Sequence, residues 1–342
     1  MTQPTSSYLL LEDGGAFAGE SVGAAGVAFG EAVFTTAMTG YQEIVTDPSY
    51  SGQIVCFTAP MVGNYGVRDT RDESMRPHAA GVVMREARGP EWTDWLAVHD
   101  IPALTGVDTR SLVLHLRDRG AMRAGIAASL ADVVASPSMS GAALAGRVST
   151  VDPYEVGEGP LRVAVVDYGV KRSIVHRLTQ AGVRATVFPH DVDAGTLAAF
   201  DGVLLSNGPG DPEPLVDEVS TIRELLGRVP ILGICLGHQL LALATGLATF
   251  KLPFGHRGGN HPVLSRETGR VLVTSQNHGF AVAPSDDRGA THESLYDGTV
   301  EGLAYPGLRA RSVQFHPEAG PGPHDAWPIL GRWVEEVRLA AA

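Results

Sequence analysis

Cysteine is nearly absent from this chain: its 342 residues hold only Cys56 and Cys235. A disulfide-stapled scaffold is therefore excluded. No CxxC pair occurs, which removes a zinc ribbon and a thioredoxin-like dithiol. Lysine is equally scarce, with Lys171 and Lys251 set against 24 arginines. Neither lysine follows a glycine, so there is no P-loop, and no G-x-G-x-x-G is present. Binding of ATP or NAD by those common devices is not expected. No apolar run reaches membrane-spanning length. The first fifteen residues lack the basic-then-apolar pattern of a secretory signal. None of the four asparagines opens an N-x-S/T sequon. Basic charge is in deficit too, with 26 Lys and Arg against 38 Asp and Glu, a formal −12. That balance disfavours nucleic acid, whose binding rests on neutralising phosphates, and an anionic membrane surface. The expectation is a cytoplasmic protein with no nucleic-acid and no membrane partner.

What is present is ordinary globular chemistry, 44% hydrophobic and 19% charged, at a length that suits two domains. The first part reads as short strands and turns, with strands over 8–11, 26–35 and 53–58. Helices are expected over 91–99 and 108–119, the second capped by Asp108 or Thr109 and stopped by Gly120. Residues 127–160 are rich in Ala, Ser, Gly and Pro. We place a boundary at 155–160, giving a β-rich α+β domain over 1–155 and a second domain over 160–342. The second alternates apolar runs (162–166, 185–188, 202–205, 231–234) with helices over 171–181, 215–227 and 236–245. Fully apolar strands alternating with helices indicate an α/β fold with a mostly parallel sheet flanked by helices. A hairpin around 271–282, a strand over 311–315 and a helix over 327–339 follow. Open α/β sheets bind ligands beyond the carboxyl ends of their strands. Gly208, Cys235 and His316 all fall just past such ends.

The sharpest local signal is Gly233-Ile234-Cys235-Leu236-Gly237, a cysteine version of the nucleophile elbow between strand and helix. The glycines let backbone pass close on both sides of a tight turn. The sulfur then sits at a helix N-terminus, whose partial positive charge suits an anion. The N–H of Leu236 is placed to donate to an oxyanion. A free cysteine more often merely packs, and that reading holds for Cys56, which has no flanking glycines. The second signal is His316-Pro317-Glu318. Residues i and i+2 of an extended segment point the same way, and Pro317 biases His316 to that region. A cysteine with a histidine and a carboxylate behind it is the triad logic of acyl transfer. The turn 206–212, Ser-Asn-Gly-Pro-Gly-Asp-Pro, offers backbone N–H groups after a strand. His256, His261, His278, His292 and His324 invite a metal, but no H-E-x-x-H or supporting ligand cluster accompanies them, so none is expected. Lys171 is unexpected in so arginine-rich a chain, and its role stays open.

Together these residues resemble class I glutamine amidotransferases, whose marks are the block Gly233 to Gln239 and the H-P-E block. The resemblance narrows with 30–36 (Gly-Glu-Ala-Val-Phe-Thr-Thr), 38–43, 46–51, 107–110, 254–262, 276–280 and 316–325. These look like the small, glutamine-hydrolysing subunit of carbamoyl-phosphate synthetase, nearly end to end. Only the segment 85–93 departs, being shorter than similar subunits have. The resemblance implies that Cys235 attacks the glutamine amide, His316 shuttles protons and Glu318 holds His316. It gives the oxyanion hole to the N–H groups of Gly208 and Leu236. It gives glutamine binding to Ser49 of the first domain and to Gly210, Gln239, Asn277, Gly279 and Phe280. It implies no cofactor in this chain. A large partner subunit would use the ammonia with bicarbonate, ATP and Mg to make carbamoyl phosphate for arginine and pyrimidine synthesis. The two would form a heterodimer able to assemble further. The glutaminase of a GMP or anthranilate synthetase is the near alternative, disfavoured because those lack a domain like 1–155. A non-catalytic scaffold of the same fold is the other.

Overall fold

A computed structural model describes residues 6–284 and 289–342. The chain forms two compact units: 1–142 with 253–258, and 143–252 with 259–342. The division falls upstream of the stretch expected from composition. Its physical reason is that the Ala- and Ser-rich segment is not a free linker. Ala143 bridges Gly210, Ala145 is fully buried in a core of the second unit, and the strand Tyr154–Val156 pairs with that unit's sheet.

The first unit is a closed seven-stranded barrel. Its strands are β1 (Ser6–Leu11), β2 (Ala16–Gly23), β3 (Ala28–Thr35), β4 (Gln53–Phe57), β5 (Gly81–Val83), β6 (Pro102–Thr105) and β7 (Met122–Ile126). The order around the barrel is β1-β2-β6-β5-β4-β3-β7. Its helices are α1 (Tyr41–Thr46), α2 (Pro90–Val98), α3 (Thr109–Arg119) and α4 (Leu130–Ala135). Strand alternation divides the apolar side chains between two cores. On β4, Val55 and Phe57 pack with Trp92 and Leu96 of α2. Ile54 and Cys56 pack on the other side with Leu112 and Leu116 of α3. The cap expected of α3 is present: Asp108 accepts from the Ser111 N–H at 3.1 Å, and Gly120 donates to Leu116 at φ 94°.

The second unit is built on a ten-stranded mixed sheet. Its strands are β8 (Tyr154–Val156), β9 (Leu161–Asp167), β10 (Val183–Pro189), β11 (Gly202–Leu205), β12 (Ile231–Ile234), β13 (Thr249–Ser265), β14 (Val271–Val282), β15 (Ala290–Ser294), β16 (Val300–Tyr305) and β17 (Ala310–Val313). The helices are α5 (Ala145–Val148), α6 (Arg172–Gln180), α7 (Ala194–Leu197), α8 (Val216–Leu225), α9 (Leu236–Ala244) and α10 (Pro328–Ala341). The order is β14-β13-β15-β16-β17-β12-β11-β9-β10-β8. Five central strands, β17-β12-β11-β9-β10, are parallel; those on either side are antiparallel.

Both faces of the parallel centre are covered, which is why its strands read as continuous apolar runs. Ala164, Val166, Val203 and Leu205 face α8 and α9. Val163, Val165, Leu204 and Ile234 face α6 and α10. Each such Val, Leu or Ile contributes about 1.5–3 kcal/mol on burial. The hairpin expected around 271–282 is instead one strand, β14. The turn lies before it, where Ser265 donates to Arg270 and Gly269 to Ser265. Asn277-His278-Gly279 has the composition of a turn, but Gly279 is not among the glycines with positive φ, and the strand runs through it. No helix of the described residues is long and apolar enough to cross a membrane.

Candidate active site

The parallel register sets four segments side by side. His316 follows β17, Cys235 follows β12, Gly208 follows β11 and Lys171 follows β9, and these four strands are consecutive neighbours. The site therefore occupies the carboxyl edge of the sheet, as α/β ligand sites do.

Cys235 sits at φ 54°, ψ −102°, a conformation non-glycine residues rarely adopt. The surroundings enforce it. A Cβ on Gly233 would lie 2.5 Å from the Gly237 carbonyl oxygen, and one on Gly237 would lie 2.3 Å from that of Leu205. Only glycine fits at either position. The Cys235 N–H donates to Val313 of β17 at 2.9 Å and the Gly237 N–H to Ser206 at 3.0 Å, locking the elbow to both neighbouring strands. The thiol is buried and lies 3.6 Å from the carbonyl oxygen of Asn277. Leu236 opens α9, so its N–H has no intrahelical acceptor. Gly208 packs against it: a Cβ there would be 2.9 Å from Leu236 Cδ2 and 2.2 Å from the Tyr168 carbonyl oxygen.

His316 and Glu318 are each only 2% exposed. The Nδ1 of His316 is 2.6 Å from Glu318 Oε1. Its backbone N–H is held by Ser275 of β14 at 2.9 Å. Burial works against the imidazolium, but the Glu318 carboxylate and the neighbouring Cys235 outweigh it and raise the ring to about 10. Burial likewise opposes the carboxylate of Glu318, yet the charges of Lys171 and His316 hold it well below the usual carboxylate range. With Glu318 ionised, Nδ1 is the donor and Nε2 is left for the reacting atoms.

The structure thus brings together Cys235, His316, Glu318 and Asn277, with Gly208 and Leu236 beside the elbow. Gln239 lies along α9, its Nε2 donating to the Phe280 carbonyl at 2.8 Å and to Gln314 Oε1 at 3.1 Å. Asn277, Gly279 and Phe280 lie on β14. Gly210 takes φ 94° in the turn after β11. Ser49 belongs to the first unit, where it is buried in a turn capped by Asp47, whose Oδ1 accepts from its N–H at 2.9 Å. Two participants had no assignment in the sequence. Lys171 Nζ reaches Glu318 Oε1 at 2.9 Å, and Asn207 Oδ1 accepts the Lys171 N–H at 3.2 Å. The rarity of lysine, and a place after a strand on the same sheet edge as Cys235, were the signals for the first.

A cysteine elbow with a buried histidine–carboxylate pair, on the carboxyl edge of a parallel sheet, suits acyl transfer through a sulfur nucleophile, and the family match makes the class that of the glutamine amidotransferases. Residues 164–332 match the family described as glutamine amidotransferase class-I, and residues 9–126 match the carbamoyl-phosphate synthase small chain, CPSase domain. Proteins named carbamoyl phosphate synthase small chain are similar over nearly the whole length. That of Syntrophotalea carbinolica is 46% identical over 365 residues, covering 96% of this chain and 97% of its own. That of Thermosynechococcus vestitus is 46% identical over 374 residues, covering 98% and 97%. That of Xanthomonas campestris is 45% identical over 376 residues, covering 99% and 100%. The chain belongs to the carbamoyl phosphate synthase small chain family.

Proposed function

We propose that the chain hydrolyses L-glutamine to glutamate and ammonia and passes the ammonia to a large carbamoyl phosphate synthase subunit. The observation that carries this is the buried Cys235 on its positive-φ elbow with the His316–Glu318 pair just past the end of the adjoining strand. In the first half-reaction the Cys235 sulfur attacks the amide carbonyl carbon. The N–H groups of Gly208 and Leu236 receive the developing oxyanion. The C–N bond then breaks as His316 gives its proton to the departing nitrogen, leaving a γ-glutamyl thioester and ammonia. In the second, His316 takes a proton from water, which attacks the thioester. The C–S bond breaks, His316 returns the proton to the departing sulfur, and glutamate is released with the thiol regenerated. Glu318 orients the ring and stabilises its cation throughout. Gly210, Gln239, Asn277, Gly279 and Phe280 would hold glutamine beside the elbow.

Ammonia at neutral pH is mostly protonated and then not a nucleophile, so a direct path to the partner has a chemical purpose. Bicarbonate, ATP and Mg²⁺ would act on the large subunit, and this chain would need no cofactor. Reconstitution tests the reading. The large subunit alone should make carbamoyl phosphate from ammonium but not from glutamine. Adding this chain should confer glutamine-dependent synthesis with glutamate released in equal amount. Failure to confer it, with ammonium-dependent synthesis intact, overturns the reading.

A further inference from the structure

Lys171 is one of two lysines in the chain, and it is 2% exposed at the N-cap of α6. Its ammonium donates to Glu318 Oε1 at 2.9 Å and to the Gly320 carbonyl. The same Oε1 faces His316 Nδ1 at 2.6 Å, while Oε2 has no hydrogen-bond partner among the described residues. One carboxylate oxygen is thus shared by two cationic donors. A buried ammonium is costly to desolvate. A neutral donor would orient Glu318 equally well, so the charge itself calls for an explanation.

The proton cycle supplies one. His316 must hold a proton for the leaving nitrogen, then be neutral to take one from water. A lone buried carboxylate behind the ring would favour the cation strongly and starve the second half-reaction of neutral base. We infer that Lys171 is a positioning residue whose positive charge, acting through Glu318, weakens the hold on the His316 proton so that the ring can act as a base in thioester hydrolysis. The charged or ionisable groups set around the ring are Glu318 beside it, Cys235 from the elbow before α9, and Lys171 behind the carboxylate from α6. A compact ammonium can bridge one carboxylate oxygen and one carbonyl, whereas the planar fork of arginine suits bidentate partners.

This inference rests on the glutaminase reading for its kinetics only, and a ring titration tests it separately. The titration uses ¹⁵N-histidine protein carrying Cys235→Ala, which removes the sulfur's effect as a neutral thioester does. The His316 signal is identified by its loss in His316→Asn. Lys171→Gln keeps a hydrogen-bond donor and removes the charge. The ring pKa should rise by roughly one to two pH units, the size expected for unit charges several Å apart at an effective dielectric of about 20. Lys171→Arg keeps the charge and should stay within about half a unit of the Lys171 protein. With Cys235 restored in the assembled enzyme, Lys171→Gln should move the acid limb of kcat upward by the same amount. Turnover near neutral pH then falls about ten- to a hundred-fold at unchanged KM for glutamine. A ring pKa unmoved or lowered in Lys171→Gln overturns the inference. So does a shift of a full unit in Lys171→Arg, which remains decisive should the Gln variant not fold. A shifted ring in a protein whose Lys171 form turns over no glutamine would overturn the glutaminase reading and leave this inference standing.

Discussion

Cys235→Ser should abolish glutamine hydrolysis, with a loss of at least about 10⁴-fold in kcat, because a hydroxyl here is a far weaker nucleophile than sulfur. The exchange is nearly isosteric, and the elbow is set by Gly233, Gly237 and two backbone hydrogen bonds rather than by the side chain. The variant should therefore fold, assemble and leave ammonium-dependent synthesis by the partner intact. Steady-state glutamate release and ammonium-supported synthesis, measured on one preparation, check both halves. Turnover within tenfold of the unsubstituted protein would remove Cys235 from the mechanism.

His316→Asn should be nearly as severe, since both proton transfers are assigned to this ring. Glu318→Gln should lose less. Removing an orienting carboxylate from a serine triad costs about 10⁴ in turnover, and a thiol, more acidic than a hydroxyl, depends less on its base. The sign of the accompanying pH effect is fixed. Glu318 raises the ring toward 10, so its loss must lower the ring's proton affinity and move the acid limb of kcat downward. This is opposite to the shift expected for Lys171→Gln. A Glu318→Gln enzyme more impaired than His316→Asn, or with its acid limb moved upward, would reverse the roles given to the two residues.

The elements legible in sequence are those whose signal is local. The strands β9, β11 and β12 read as apolar runs because both faces are buried, and Cys235 and Gly208 could be set past strand ends from that alone, with His316 past the strand read over 311–315. The elbow and H-P-E are likewise contained within a few residues. The barrel was not legible as a barrel, since closure depends on pairings such as β1 with β7 that no local pattern announces. β13 was missed because Pro253, Gly255, Gly258, Gly259 and Pro262 give it the composition of a loop. Ladder partners such as Ser294 opposite Val263 override that propensity. The Lys171–Glu318 pair joins residues 147 apart in the chain, and the Gln239–Gln314 pair joins residues 75 apart. Neither distance carries a sequence pattern. What fixes them is the strand order, which sets β9 two places from β12 and three from β17.

The most direct measurement is the mass of the protein quenched with acid during glutamine turnover, followed by peptide mapping. Expected is a gain of one γ-glutamyl group on the peptide carrying Cys235, absent from Cys235→Ser and more abundant in Lys171→Gln, where thioester hydrolysis slows. Turnover without any adduct in either protein, or an adduct on Cys56 or another residue, would contradict covalent catalysis at Cys235.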